Sequence, residues 1–284
     1  MPNRPRPVAV VTGASVGLGF SVVKAFLAAG YDVVGVARDQ SRLQNAAALL
    51  RGTQKSGLLN PEVAEPRFMA VAGDVTDSES LAKIFTTIRE DAGRIDALVN
   101  CVGLSDRGAT QLLTRQKIID LIDVNVVSSL LVAQAALPLL RESKGVVVNV
   151  GSLASRVGAR YLGGYPLAKH ALAGLTQQMR LEWREFGVHV ALICPGPISR
   201  PDAGTRYDSQ VTEGGAPESA RRPGGGAKIK GLAPEYVARK IVQMVRKRTA
   251  DAILPWYARC LIVLGHLLPP LGDRLVLAMT GDKK

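Results

Sequence analysis

Short apolar runs alternate along the chain with longer stretches in which apolar residues recur every three or four positions. Six runs stand out, at 8–11, 32–36, 68–72, 97–100, 146–150 and 188–194. They are rich in Val and nearly continuous. Strands covered by helices on both faces have this pattern, because neither face meets water. Helix-length segments lie between them, among them 17–29, 78–91 and 116–140. The alternation predicts an α/β fold built on a doubly wound parallel β-sheet with helices on both faces. No internal repeat or linker divides the chain, so a single domain over 1–250 is expected, followed by an apolar and basic extension over 251–284.

Two stretches interrupt the alternation. Residues 51–67 form a long connection with Gly and Pro, and 201–231 is richer still in Gly, Pro and charge. A loop as long as the second, in a compact domain, reads as a lid over a binding site. The apolar piece 252–279 is broken by Arg259, His266, Pro269, Pro270, Asp273 and Arg274. Three roles are open for it: a peripheral contact with a membrane surface, packing on the body, or a contact between copies.

Composition narrows the function classes. With 47% hydrophobic residues in 284 positions the chain can bury a core. Lys and Arg number 36 against 24 Asp and Glu, a net +12, and residues 221–284 alone hold 13 basic and 4 acidic residues. That tail is a solvated basic face, or it attracts anionic lipid or an anionic substrate. It has few aromatics to stack bases on and no nucleic-acid motif, so nucleic acid is not an expected partner. Cys101, Cys194 and Cys260 are odd in number and form no CxxC, which reads as reduced core thiols of a cytoplasmic protein. His170, His189 and His266 have no metal-ligand spacing, so no metal is expected. The opening MPNRPRP is too short and polar for a signal peptide, and no apolar run reaches the roughly 18–20 residues of a spanning helix.

The first candidate chemistry follows the first strand. Gly13, Ser15, Gly17, Leu18 and Gly19 lie in the turn TGASVGLG, which leads into a helix. Glycines there permit a tight turn and a close backbone approach, and the helix N-terminus offers free N–H groups to a pyrophosphate. The Gly-Lys-Ser/Thr ending of an NTPase loop is missing. At the end of the second strand, where an acid would hold a ribose 2′-hydroxyl, stands Arg38. Its planar, permanent charge suits a 2′-phosphate, which favours NADP(H) over NAD(H). Asp39 beside it is the acid that would offset that charge.

The second is YPLAK, in which Tyr165 and Lys169 lie four apart, on one face of a helix. A tyrosine titrates near pH 10, and lowering that to about 7 needs roughly 4 kcal/mol. An ammonium about 4 Å away supplies about that much at an effective dielectric near 20. Pro166 marks a first helical turn, where its missing N–H costs nothing. The pair alone is common by chance. It gains specificity from its company: Asp74 and Val75 after the third strand, Asn100 and Gly103 in NCVG, Asn125 in DVNV, Ser152 thirteen residues before Tyr165, and Pro195, Gly196 and Ile198 in PGPI.

In this order the motifs resemble the short-chain dehydrogenases/reductases over about residues 8–250, with Cys101 and Val102 where the family usually has Asn and Ala. The resemblance implies a Rossmann-like NAD(P)-binding domain and an oxidoreductase acting on a small carbonyl or alcohol substrate, as a homodimer or homotetramer. It implies that Tyr165 is the general acid or base and that Ser152 orients the substrate oxygen. Lys169 would tune Tyr165 and hold the nicotinamide ribose, while Asn125 would hold a water that relays protons. Asp74 would hold the adenine ring, Pro195, Gly196 and Ile198 would lie in the loop over the nicotinamide, and Val75, Asn100 and Gly103 would also contact the cofactor. The substrate expected from the apolar tail is lipid-like or steroid-like. The rival is a non-catalytic NADP(H)-binding regulator on the same fold, which would be expected to have lost the acid or the lysine.

Overall fold

A computed structural model of the chain describes residues 6–54, 66–200, 202 and 205–280. Seven strands form one sheet: β1 Val8–Thr12, β2 Asp32–Ala37, β3 Phe68–Ala72, β4 Ala97–Asn100, β5 Val146–Val150, β6 His189–Pro195 and β7 Asp251–Leu254. Their order is β3-β2-β1-β4-β5-β6-β7, and all neighbours are parallel. The helices are α1 Gly17–Ala28, α2 Gln40–Gln54, α3 Ser78–Asp91, α4 Arg115–Ile122, α5 Ser128–Ser143, α6 Tyr165–Glu182, α7 Asp208–Glu213, α8 Pro234–Lys247, α9 Tyr257–Leu267 and α10 Pro269–Thr280.

The continuous Val runs are explained by two separate cores. Ala9, Val11, Val33, Ala97, Val99, Val148 and Ile193 pack with α1 and α8, including Val22, Phe26, Val237 and Ile241. Their neighbours Val8, Val10, Val34, Leu98, Val147 and Val190 pack with Ile84 and Ile88 of α3, Val132 and Leu140 of α5 and Met179 of α6. Successive strand residues face opposite ways, so a strand between two helical layers is apolar at every position. The chain order reverses between β1 and β4, which opens a crevice at the carboxyl ends of these strands.

Three features differ from the sequence pattern. β7 takes residues 251–254 into the sheet, against β6; at four residues its period does not separate from the apolar stretch that follows. The helix expected over 116–140 is α4 and α5 joined by one wide π turn, Asp123–Val127. Together they make Arg115–Ser143 the one helical run among the described residues long and apolar enough to cross a membrane; here α5 buries Val132, Ala133, Ala136 and Leu140 in the core. The expected loop 201–231 contains α7 and two short 3₁₀ turns, Glu218–Arg221 and Pro223–Gly226. Of the connection 51–67, residues 55–65 lie outside the described residues.

Of the three roles open for 252–279, packing on the body is realised. Helices α9 and α10 form a hairpin whose backbones meet at Gly265 and Gly272; a Cβ on Gly272 would lie 2.7 Å from the Gly265 Cα. The lid holds its end, since Lys228 donates its backbone N–H to Met279 O at 2.8 Å and its ammonium to Ala278 O at 2.9 Å. His266 Nε2 donates to Arg156 O at 2.9 Å. Cys260 is exposed on α9, a departure from the expected core thiol, whereas Cys194 is buried and Cys101 half-buried.

Candidate active site

The glycine turn closes the amino end of the crevice. Gly13 and Gly17 have φ of +67° and +58°, values that L side chains rarely adopt. A Cβ at Gly19 would lie 2.1 Å from Gly13 O, so glycine is required for the turn to lie against α1. Helix α1 carries no side-chain cap and no acid in its first turn. Its leading N–H groups therefore face outward without an internal anion.

Arg38 follows β2 with its side chain 76% exposed. Asp39 does not offset it. That carboxylate accepts from the Arg42 backbone at 2.9 Å and pairs with the Arg42 guanidinium at 3.2 Å, at the start of α2. The acid nearest Arg38 is Asp74, 3.6 Å away. Partial burial pushes the Asp74 carboxyl up. The Thr76 N–H and hydroxyl, with Arg38, outweigh that and hold it below the usual carboxylate value. Val75 turns its side chain into the core.

Behind β4 and β5 lies a polar tie. Asn100 donates to Asn149 Oδ1 at 2.9 Å and to Ser129 O at 3.2 Å, and Asn149 donates to Thr176 Oγ1 at 2.9 Å. This joins two strands to α5 and α6. Asn100 thus supports the site from within rather than presenting its amide to a ligand. Asn125 lies in the π turn, fully buried. It donates to Leu104 O and Leu121 O at 3.0 and 2.9 Å and accepts from Leu104 N at 3.2 Å. A side chain bonding into the helix ladder accounts for the local widening. Gly103 makes the approach possible: a Cβ there would lie 2.9 Å from Asn125 Oδ1 and 3.3 Å from Lys169 Nζ.

Helix α6 begins at Tyr165, with Pro166 in its first turn. Its entry is held by Asp106, a residue whose role the sequence did not reveal. The carboxylate accepts from Gly164 N at 3.0 Å and lies 2.8 Å from Lys117 Nζ. Lys169 is 4% exposed and donates to Val150 O at 3.0 Å. Burial pulls its pKa down to about 8. Burial dominates Tyr165 and pushes the phenol above its ordinary value. A hydrogen bond with Ser152 opposes this, as do the charges of Arg107 and Arg200. The Lys169 ammonium donates to Val150 O and stands 5.8 Å from the Tyr165 ring centroid.

A cavity of about 670 Å³ brings these parts together. Leu18, Gly103, Ser152, Tyr165, Lys169, Pro195, Gly196 and Ile198 line it. Gly13, Ser15, Gly17, Gly19, Arg38, Asp74 and Val75 are not among its lining residues; they follow β1, β2 and β3 at the same sheet edge. Cys101 also lines the cavity, and burial pushes its thiol up to about 12, so it is unreactive there. His170 reaches the rim, with Nδ1 donating to Pro166 O at 2.8 Å. The far wall comes from the lid and from α9 and α10: Tyr207, Arg221, Leu261, Ile262, Val276 and Met279.

A family profile described as short chain dehydrogenase matches residues 7–211. The chain is 30% identical over 269 residues to a probable short-chain type dehydrogenase/reductase, VdlC, of Helicobacter pylori, across 92% of this chain and 93% of that protein. It is 32% identical over 200 residues to a farnesol dehydrogenase of Aedes aegypti, across 67% and 77% of the two chains. The crystal structure of a short-chain dehydrogenase from Streptomyces avermitilis, 25% identical, superposes with a TM-score of 0.75 over 97% of both chains.

The burial of Lys169 has a signed consequence. Below pH 8 folded and unfolded chains both carry its proton, and folding bears the whole desolvation cost. Between 8 and its ordinary 10.5 only the unfolded chain keeps the proton, so the cost fades as pH rises. The stability of the protein relative to Lys169→Met, measured by urea unfolding, is therefore expected to rise by about 2.5 kcal/mol between pH 7 and pH 10. A flat difference would place Lys169 at its ordinary pKa.

Proposed function

The chain belongs to the short-chain dehydrogenase family, and from that premise we propose that it is an NADP(H)-dependent oxidoreductase interconverting a ketone and a secondary alcohol. The observation that carries this is the meeting of Tyr165, Ser152 and Lys169 on one cavity wall, beside the glycine turn. The non-catalytic alternative is disfavoured because all of these groups are present together with Asn125.

The residues fit a dinucleotide. Gly13, Ser15, Gly17, Leu18 and Gly19 would hold its pyrophosphate at the start of α1, where no side chain competes. Arg38, exposed and with Asp39 committed to Arg42, would hold a 2′-phosphate. Asp74 and Val75 would border the adenine, Lys169 the nicotinamide ribose, and Gly103, Pro195, Gly196 and Ile198 the nicotinamide end. Once bound, the cofactor would supply or accept the hydride.

The protein's part is proton transfer and orientation. A carbonyl oxygen that gains negative charge needs a proton, and a half-buried phenol held above its ordinary pKa is protonated at neutral pH. Tyr165 is then the acid in reduction. The Ser152 hydroxyl lies within hydrogen-bond reach of that phenol and orients the same oxygen. Arg107 and Arg200 favour the phenolate left behind. Asn125 clamps the 103–104 segment against Lys169, whose ammonium keeps protons beyond the one given to Val150 O for exchange toward solvent. The wall of Leu261, Ile262, Val276 and Met279 favours a substrate with a hydrocarbon body, in keeping with the farnesol dehydrogenase among the relatives.

One observation favours a membrane surface as the place of work. Trp256, Val263, Leu267 and Leu268, at and along the hairpin, are exposed, Trp256 by 76% and Leu267 by 73%. They lie in the segment that also carries the basic excess. Amphipathic elements of this kind bind anionic interfaces.

Three outcomes are expected. Tyr165→Phe abolishes ketone reduction while leaving the Kd for NADPH within about twofold; unchanged turnover would remove Tyr165 as the acid. NADPH binds at least about tenfold tighter than NADH, and Arg38→Ser removes that preference, since a charge-assisted hydrogen bond contributes about 1.5–3 kcal/mol. The protein floats with vesicles containing anionic lipid and stays behind with neutral ones; no co-flotation retires the membrane reading.

A further inference from the structure

Among the described residues Arg107 is the largest side chain that is almost fully buried, at 2% exposure, and it borders the cavity. It follows Asp106 in the loop after β4. Its guanidinium is fixed on several sides. Nε donates to Ala220 O at 2.8 Å, and Nη1 donates to Ser105 Oγ at 2.9 Å and Asp106 O at 2.5 Å. The Tyr207 ring covers it, 3.8 Å from centroid to guanidinium carbon. Every one of these partners is uncharged. Nη2 has no carbonyl or carboxylate acceptor among the described residues, and the Tyr207 hydroxyl also lies within hydrogen-bond reach of the guanidinium.

Of the four other arginines at the cavity, Arg200 is exposed to solvent, and the remaining three show what Arg107 is missing. Arg156 pairs with Asp251, Arg206 with Asp202 at 3.3 Å, and Arg221 with Asp208 at 3.3 Å. Arg107 has no carboxylate within 4.0 Å among the described residues. Its sequence neighbour Asp106 is committed to Lys117 and to the start of α6. A guanidinium cannot shed its proton, so the charge remains, and an uncompensated buried ion costs several kcal/mol. Geometry this well held, around a cation with no carboxylate in contact at the edge of a cavity, is a receptor geometry.

We infer that Arg107 receives a carboxylate on the substrate. One fixed cation matches one anionic charge, and the planar fork matches the two oxygens of a carboxylate. The substrate class that satisfies the whole cavity is an oxo acid, or the corresponding hydroxy acid, with a hydrocarbon body. Its carboxylate meets Arg107 and its chain lies along α9 and α10, while the reacting oxygen faces Tyr165 and Ser152. This rests on the reading of the cavity as the substrate site. The competing role for Arg107 is purely architectural: through Tyr207 and Ala220 it also ties the lid to the body.

Calorimetry on the full chain separates the two, with octanoate and octan-1-ol as probes. Neither probe is turned over in the absence of cofactor, so this result stands apart from the success or failure of the redox reading. Octanoate is expected to bind at least tenfold tighter than octan-1-ol. Arg107→Gln should weaken octanoate at least tenfold and leave octan-1-ol within twofold. Arg107→Lys keeps the charge and should keep a preference for octanoate, which holds the test open if the Gln variant does not fold. Equal binding of the two probes by the unaltered protein would overturn the inference. So would an equal loss of both in Arg107→Gln, or no preference in a folded Arg107→Lys.

Discussion

The site depends on keeping one ammonium charged inside the fold. Lys169 is almost completely buried, and its firm partner is a neutral carbonyl, Val150 O. Taking such a group out of water is expensive unless its surroundings are polar and fixed. Much of the local structure meets that condition. Gly103 lacks a side chain, so Asn125 and the ammonium can approach the same backbone. Asn125 in turn requires the π turn between α4 and α5, and Asn100, Asn149 and Thr176 tie the helices behind it to the sheet. Asp106 fixes the point at which α6 starts, and with it the direction in which Tyr165 and Lys169 project.

Burial also explains how acid and cation divide their work. Desolvation pulls Lys169 down and pushes Tyr165 up. A protonated phenol is the form needed to give a proton away, and Ser152 with Arg107 and Arg200 eases the charge that remains afterwards. Arg107 therefore has two connections. Its field reaches the acid, and its charge adds a polar group to a cavity that α9 and α10 line with apolar side chains. That asymmetry makes the substrate class readable at all.

What was legible in the sequence follows from range. The Val runs at 8–11, 97–100 and 146–150 announced a sheet covered on both faces, because that burial constrains every position. The glycines at 13, 17 and 19 announced the turn, because φ and close approach are local demands. Ser152, Tyr165 and Lys169 were found by spacing. Arg107 and Asp106 were not, since SDRG reads as an ordinary polar turn until Gly164, Lys117, Tyr207 and Ala220 arrive from distant parts of the chain. β7 was hidden in a longer apolar stretch. The spacing of Tyr165 and Lys169 places both on one face but does not say that the ammonium also bonds Val150 O.

The central claim is that burial keeps the Tyr165 phenol protonated in the free protein. Its most direct test is a pH titration of the tyrosine side chains by NMR in protein labelled at tyrosine Cζ, with the Tyr165 signal assigned by its loss in Tyr165→Phe. The account predicts that this phenol titrates above the ordinary tyrosine value of about 10. A Tyr165 phenolate already present near neutral pH in the free protein would contradict it.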